Sequence, residues 1–212
     1  MKNDIVHILS CKKGGYVSMR HNALRDSIAQ MMREGGCSDV RTDPLLLPVN
    51  ASDFSSQTNT SDGARLDISA RGINSTFERS FYDVRGSHPH CASNVTLSLS
   101  ELYEKNEKEK LVKYEERVRE CEKGTFTPLV FLTTGGMGPK CTKTVKRIAD
   151  LISTRRNEQY SHVMNFLRTR LRFSLLKSVL IAVRGVRGKV SRELSLGHVA
   201  FNMIPSVQPY DA

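Results

Sequence analysis

The sequence has no long hydrophobic run, no paired set of cysteines, and very few acids in its basic C-terminal third. Its longest apolar stretches are a handful of residues, far short of the roughly 20 that a membrane-spanning helix needs. Residues 1–20 contain Lys2, Asp4, Lys12 and Lys13 and no continuous apolar core, so no secretory leader is expected there. Five cysteines, Cys11, Cys37, Cys91, Cys121 and Cys141, are scattered and odd in number. That argues against a disulfide framework and for a reducing compartment, and an intracellular, nuclear location is expected. In that setting the Asn-x-Ser/Thr sequons at Asn50, Asn59, Asn74 and Asn94 read as chance. No internal repeat is present.

What remains is an ordinary globular composition, 39% hydrophobic and 25% charged. A chain of 212 residues is long enough to bury a core. The net charge is +10, and it is localised. Between Lys140 and Arg192 there are fourteen Lys or Arg against two acids, Asp150 and Glu158, so the rest of the chain is nearly neutral. A basic stretch of this kind is the footprint of phosphate-backbone binding. It also suits an anionic membrane surface, or a solvated face with no ligand.

Periodicity predicts a helix from about Met19 to Arg33, closed by Gly35-Gly36. Residues 1–15 read as irregular, 39–49 as extended, and 50–63 as a polar loop or insertion. Two short strands are expected at Ala64–Ala70 and Glu78–Val84. A charged helix follows at Ser100–Lys123, with Leu99, Tyr103, Leu111, Tyr114, Val118 and Cys121 as its apolar stripe. A buried strand at Pro128–Thr133 and helices at Lys143–Ile152 and Tyr160–Val183 complete the chain. The order α-β-β-β-α-β-α-α is that of an α/β domain with a mixed central sheet and flanking helices.

Asp67 and Asp83 stand sixteen positions apart on adjacent predicted strands that otherwise alternate with apolar residues. An unpaired carboxylate in such a strand is costly, and a hairpin would bring the two together. Two converging carboxylates suit a hard divalent cation such as Mg²⁺ or Mn²⁺. Arg85 follows on the same strand face and could grip a phosphate. Both acids also read as ordinary turn-proximal residues. On the charged helix, Lys110, Lys113 and Tyr114 share one side. A lysine there could stabilise charge on phosphorus, although most lysines of this helix are simply solvated. Arg20-His21-Asn22 opens the first helix, where such residues either cap it or touch metal or DNA. His7 and Cys11 are half of a zinc site that needs four ligands. Thr134–Pro139 is a tight strand-to-helix turn or a phosphate loop, and lacks the lysine of a P-loop. Arg168, Arg170, Arg172 and Lys177 lie among Phe166, Leu167, Leu171, Leu175 and Leu176. The apolar positions are expected to pack inward and the arginines to face phosphates.

The sequence Ala64-Arg65-Leu66-Asp67, then Asp83-Val84-Arg85, then Lys110-Leu111-Val112-Lys113-Tyr114 resembles the PD-(D/E)XK nuclease superfamily. It is most similar to the restriction-like endonuclease domain of non-LTR retrotransposons. The phrases Leu9–Gly15, Arg20–Asn22, Phe126–Val130 and Thr134–Pro139 also resemble reverse-transcriptase-linked segments of invertebrate genomes, a likeness over roughly 5–190. The resemblance implies a restriction-endonuclease-like core and nicking of DNA, so that a free 3′ end primes a reverse transcriptase. It implies that Asp67 and Asp83 hold Mg²⁺, that Lys113 is the catalytic lysine, and that Lys110 and Tyr114 support it. Arg20, His21, Asn22, Arg65, Arg168, Arg170 and Arg172 are the expected nucleic-acid contacts, with DNA or RNA. Leu66 replaces the family's usual Pro, and Arg85 its usual Lys; Arg stays charged and shuttles protons poorly. A catalytically inactive nucleic-acid binder, or a basic scaffold meeting an acidic partner, therefore stand as alternatives. The expected organisation is a truncated zinc-knuckle-like remnant at 1–18, a nuclease-like core at 19–155, a basic helical region at 156–192 and a tail at 193–212, with the whole a piece of a longer polyprotein.

Overall fold

Alternate residues of the central strands face two different helical layers, and this alternation organises the molecule. The computed structural model describes residues 5–11 and 13–185. Lys12, the basic positions Arg187, Lys189 and Arg192, and the tail 193–212 lie outside the described residues. Helices α1 (Ile5–Ser10) and α2 (Tyr16–Glu34) lead into strands β1 (Ser38–Thr42), β2 (Ile68–Arg71) and β3 (Arg79–Ser87). Helix α3 (Leu99–Glu120), strand β4 (Thr125–Leu132) and helices α4 (Pro139–Arg156) and α5 (Tyr160–Arg184) follow. The four strands form one sheet in the order β1-β2-β3-β4. The first two pairings are antiparallel and the β3–β4 pairing is parallel. A parallel pair needs a crossover, and α3 supplies it. The chain is thus a mixed α/β fold with a four-stranded mixed sheet and flanking helices.

On one face Ile68, Ala70, Tyr82, Val84, Leu129 and Phe131 pack against α2, α4 and α5. On the other, Phe81 and Phe126 meet Tyr114 and Val118 of α3, together with Leu46 and Leu66. Burial of this kind contributes roughly 25 cal/mol per Å² of apolar surface. Helix α3 starts at a capping box: Ser98 Oγ accepts from the Glu101 amide at 3.3 Å, and Glu101 accepts from the Ser98 amide at 2.8 Å.

Several boundaries differ from the sequence reading. Residues 5–10, read as irregular, are helical because Ile8 and Leu9 pack on Tyr16 and Ala182; a helix of six residues depends on such packing. Helix α2 begins at Tyr16, so Arg20, His21 and Asn22 lie inside it and do not cap it. The expected strand at 64–70 begins only at Ile68, because Ala64 and Leu66 turn to pair with the 44–46 segment. Strand β1 is likewise shorter than the extended stretch expected at 39–49. The polar stretch 50–63 is a packed loop. Arg117, with none of its surface exposed, donates to the carbonyls of Asn59 (2.6 Å), Ser61 (3.0 Å) and Leu47 (2.7 Å) and so gathers the loop. In α3 the buried face includes Leu102, Asn106, Glu107 and Arg117, whereas Leu99 is exposed. In α5, Leu167, Leu171 and Leu175 are buried, but Phe166 and Leu176 face outward with Phe173.

Candidate active site

Strand β3 carries the site because one inward-facing position on its α3 side is a carboxylate. Asp83 is 6% exposed and sits between the buried Tyr82 and Val84. The pairing Ile68↔Tyr82 continues so that Asp67, just before β2, stands opposite Asp83. The two expected carboxylates therefore do meet across neighbouring chain segments.

Each carboxylate has a cationic neighbour. Lys110 Nζ lies 2.7 Å from Asp83 Oδ2. The contact is ionic and off the hydrogen-bonding direction, so that buried oxygen has no aligned donor. Burial pushes the Asp83 carboxyl above its ordinary range, against the opposing pull of Lys110. Asp67 Oδ2 accepts from the Val84 amide at 2.5 Å and stands 3.0 Å from His21 Nε2. The hydrogen bond to Asp67 holds the His21 imidazole above its ordinary pKa. Asn22 Oδ1 lies 3.2 Å from Nδ1, so both ring nitrogens face acceptors, as suits a protonated ring. Asn22 itself is exposed.

The resemblance assigns the catalytic role to Lys113, but Lys110 is the lysine that meets Asp83. Lys113 is exposed and lies over the Tyr114 ring, 5.1 Å from its centre. Lys110 Nζ is 5.7 Å from the same ring. Tyr114 is buried against Phe126, with ring centres 5.7 Å apart, and packs the helix onto the sheet. Arg85 is engaged by Glu109 at 2.7 Å, a partner that periodicity did not single out.

The other nominated residues fall elsewhere. Arg20 is buried and donates to the Leu9 carbonyl. Arg65 is exposed and donates to the Asp43 carbonyl at 2.9 Å. Arg170 pairs with Glu34 at 2.7 Å, while Arg168 is half-buried and Arg172 exposed. His7 and Cys11 sit at the end of α1, and among the described residues no group of three His, Cys, Asp or Glu could hold a metal ion. The Thr134–Pro139 turn is closed by its own backbone bonds, Leu132 N–H to Gly136 O and Gly138 N–H to Val130 O, both 2.9 Å. The Lys140 amide at the start of α4 donates to the buried Glu107 at 3.1 Å, so an internal carboxylate occupies that helix end. Glu107 left no signal in the sequence because it resembles every other glutamate on a charged helix.

No protein-family model matches this sequence, and a search of curated proteins finds no match.

Proposed function

We propose that this chain is a Mg²⁺-dependent DNA endonuclease domain with a restriction-endonuclease-like core, derived from a retroelement. The observation that carries the reading is Asp83, a carboxylate buried on β3, opposite Asp67 and 2.7 Å from Lys110. A buried carboxylate is expensive and needs a use. The α-β-β-β-α-β order with an antiparallel β2–β3 pair and a parallel β3–β4 pair supports the superfamily reading. The retroelement origin rests on the resemblance alone.

The residues present fit a hard cation. Asp67 and Asp83 offer carboxylate oxygens, and one buried Asp83 oxygen lacks an aligned donor. Two protein carboxylates with the remaining positions left to water and phosphate are the usual Mg²⁺ arrangement. Bound there, the ion would lower the pKa of an attacking water and offset charge on the phosphate. The chain's own groups complete the chemistry. Lys110, on the inward side of α3, stabilises charge that develops on the phosphate oxygens. Arg85 orients the phosphate once it exchanges Glu109 for it. His21, bonded to Asp67, fixes the rotamer of that carboxylate.

The inactive-binder reading has its own support: Arg85 and Lys110 are both engaged by acids of the chain. Supercoiled-plasmid nicking with Mg²⁺, Mn²⁺ or EDTA, compared with Asp83→Asn, decides between them. Metal-dependent nicking that the substitution abolishes supports the nuclease. Salt-sensitive DNA binding without nicking supports the binder.

A further inference from the structure

A polar cleft of about 470 Å³ opens beside the carboxylate site, with Arg85 and Gly86 of β3, Lys105 and Asn106 of α3, and Arg20 of α2 in its walls. Arg20 is the unusual member. It is 3% exposed, yet among the described residues its guanidinium bonds only to one neutral carbonyl, Leu9 O, at 3.2 Å from each terminal nitrogen. Burial lowers its pKa. Buried charges are normally paired. The other deeply buried arginine, Arg117, meets three carbonyls.

Gly86 adds a second observation. A Cβ at that position would lie 3.4 Å from Arg20 Nε, so the absent side chain leaves this edge of the guanidinium open toward the cleft. Lys105 adds charge at the rim, with no ion pair among the described residues. Arg85 stands there in its pair with Glu109. Among the described residues the cleft thus gathers the cations Arg20, Arg85 and Lys105 against the acid Glu109, and the buried Arg20 has no counter-ion there.

We propose that this cleft is a phosphate subsite, with Arg20 at its base, that seats a second phosphate of the strand whose neighbouring phosphate lies at Asp67 and Asp83. The inference rests on the nucleic-acid reading but not on cleavage. The phosphate is either an internal diester or a terminal monoester, and both offer the oxygens that a guanidinium binds.

The test is fluorescence anisotropy in EDTA with the full chain and 3′-labelled single-stranded oligonucleotides carrying either a 5′-phosphate or a 5′-hydroxyl. Arg20→Met is expected to weaken binding about tenfold, the scale of one hydrogen bond to a charged group. The log–log salt slope should fall by about 0.7, one phosphate contact on a single strand. Gly86→Ala, which closes the window over Nε, and Lys105→Ala, at the surface, should each weaken binding several-fold in protein whose circular dichroism is unchanged. These two keep the test decisive if Arg20→Met does not fold. A preference for the 5′-phosphate that Gly86→Ala removes assigns the cleft to a strand end. Equal losses on both oligonucleotides assign it to an internal diester. Folded Gly86→Ala and Lys105→Ala proteins that bind like the wild type overturn the subsite. Asp83→Asn separates the two claims: if nicking is absent throughout while the Gly86 effect persists, the nuclease reading fails and the subsite stands.

Discussion

The two faces of the sheet are built from different materials. Against α2, α4 and α5 lies a core of twenty-three buried apolar residues among those described. Against α3 the corresponding cluster has seven among the described residues, and three buried charges, Asp83, Glu107 and Arg117, are on that side, with Arg20 of α2 buried apart from them. Apolar burial stabilises in proportion to area, whereas buried charges at best break even. The stability of the fold therefore resides mainly on the first face, and the second is free to hold groups whose use is chemical. Neighbouring positions of β3 show the division: Val84 faces the large core, and Asp83 faces Lys110.

The comparison breaks most readily in the large core. Phe131→Ala should cost about 3–5 kcal/mol, the usual range for a buried phenylalanine, measured by urea unfolding. Arg117→Leu on the opposite face should cost about 3 kcal/mol, because three carbonyls lose charged donors and stay buried. Limited proteolysis should then cut within residues 44–63, which Arg117 holds together. Proteolysis confined to other loops would show that the loop is held without Arg117. Asp83→Asn should lower metal-dependent nicking by at least about 100-fold, the upper end of the loss for a group supporting a metal ligand. Its unfolding midpoint should hardly move, because the amide is easier to bury than the carboxylate. A large loss of stability with nicking retained would reverse the assignment of roles to the two faces.

A sharper comparison lies within α3. Lys110→Ala should reduce nicking about tenfold or more and push the Asp83 carboxyl further up, because its buried charge loses its partner. Lys113→Ala should change nicking less than twofold, and removes only a cation over an aromatic ring, worth about 0.5–1 kcal/mol at an exposed site. Equal effects on nicking would return the catalytic role to Lys113.

That pair also shows what the sequence could and could not convey. The meeting of Asp67 and Asp83 was legible, because two polar interruptions in apolar strands, joined by a short reversal, have few other geometries. The element order was legible for the same reason: period-2 and period-3.6 patterns change where the strands and helices do. The rotation of α3 about its axis was legible at Tyr114 and Val118, which the expected stripe included and the sheet buries, but not in the first half of the helix. Leu102, Asn106, Lys110, Tyr114 and Val118 recur every four residues and form the ridge toward the sheet. Two of the five are polar, so an apolar stripe drawn through Leu99 and Tyr103 is turned away from the true face. Arg117 and Glu107 were hidden likewise, since hydrophobic periodicity counts every charge as solvent-facing. Residues 5–10 were missed because their helicity depends on contacts with α5, which no local pattern records.

The smallest effect is a pH dependence that distinguishes His21 from Asp83. His21 gains its proton affinity mainly from the hydrogen bond to Asp67, so its native pKa stands above the ordinary 6.5. The folded ring then binds a proton more tightly than the unfolded one. Its contribution to stability is fully present below pH 6.5 and is lost as pH rises through the native value. Asp83 is also raised, but from 3.8 and by burial. Protonated Asp83 is the form the fold prefers, so its effect on stability also declines with rising pH, in a window that starts near 3.8. The slopes share a sign and differ in position. His21→Gln should therefore flatten the fall in stability above pH 6.5, and it should push the Asp83 carboxyl slightly further up, because the imidazole draws that carboxyl down. Urea midpoints between pH 6 and 8 read the difference, bounded by about 1.4 kcal/mol per pH unit for one proton. Parallel wild-type and variant curves across that range would show that His21 is neutral beside Asp67, and the positive charge next to the two carboxylates would then come from Lys110 alone.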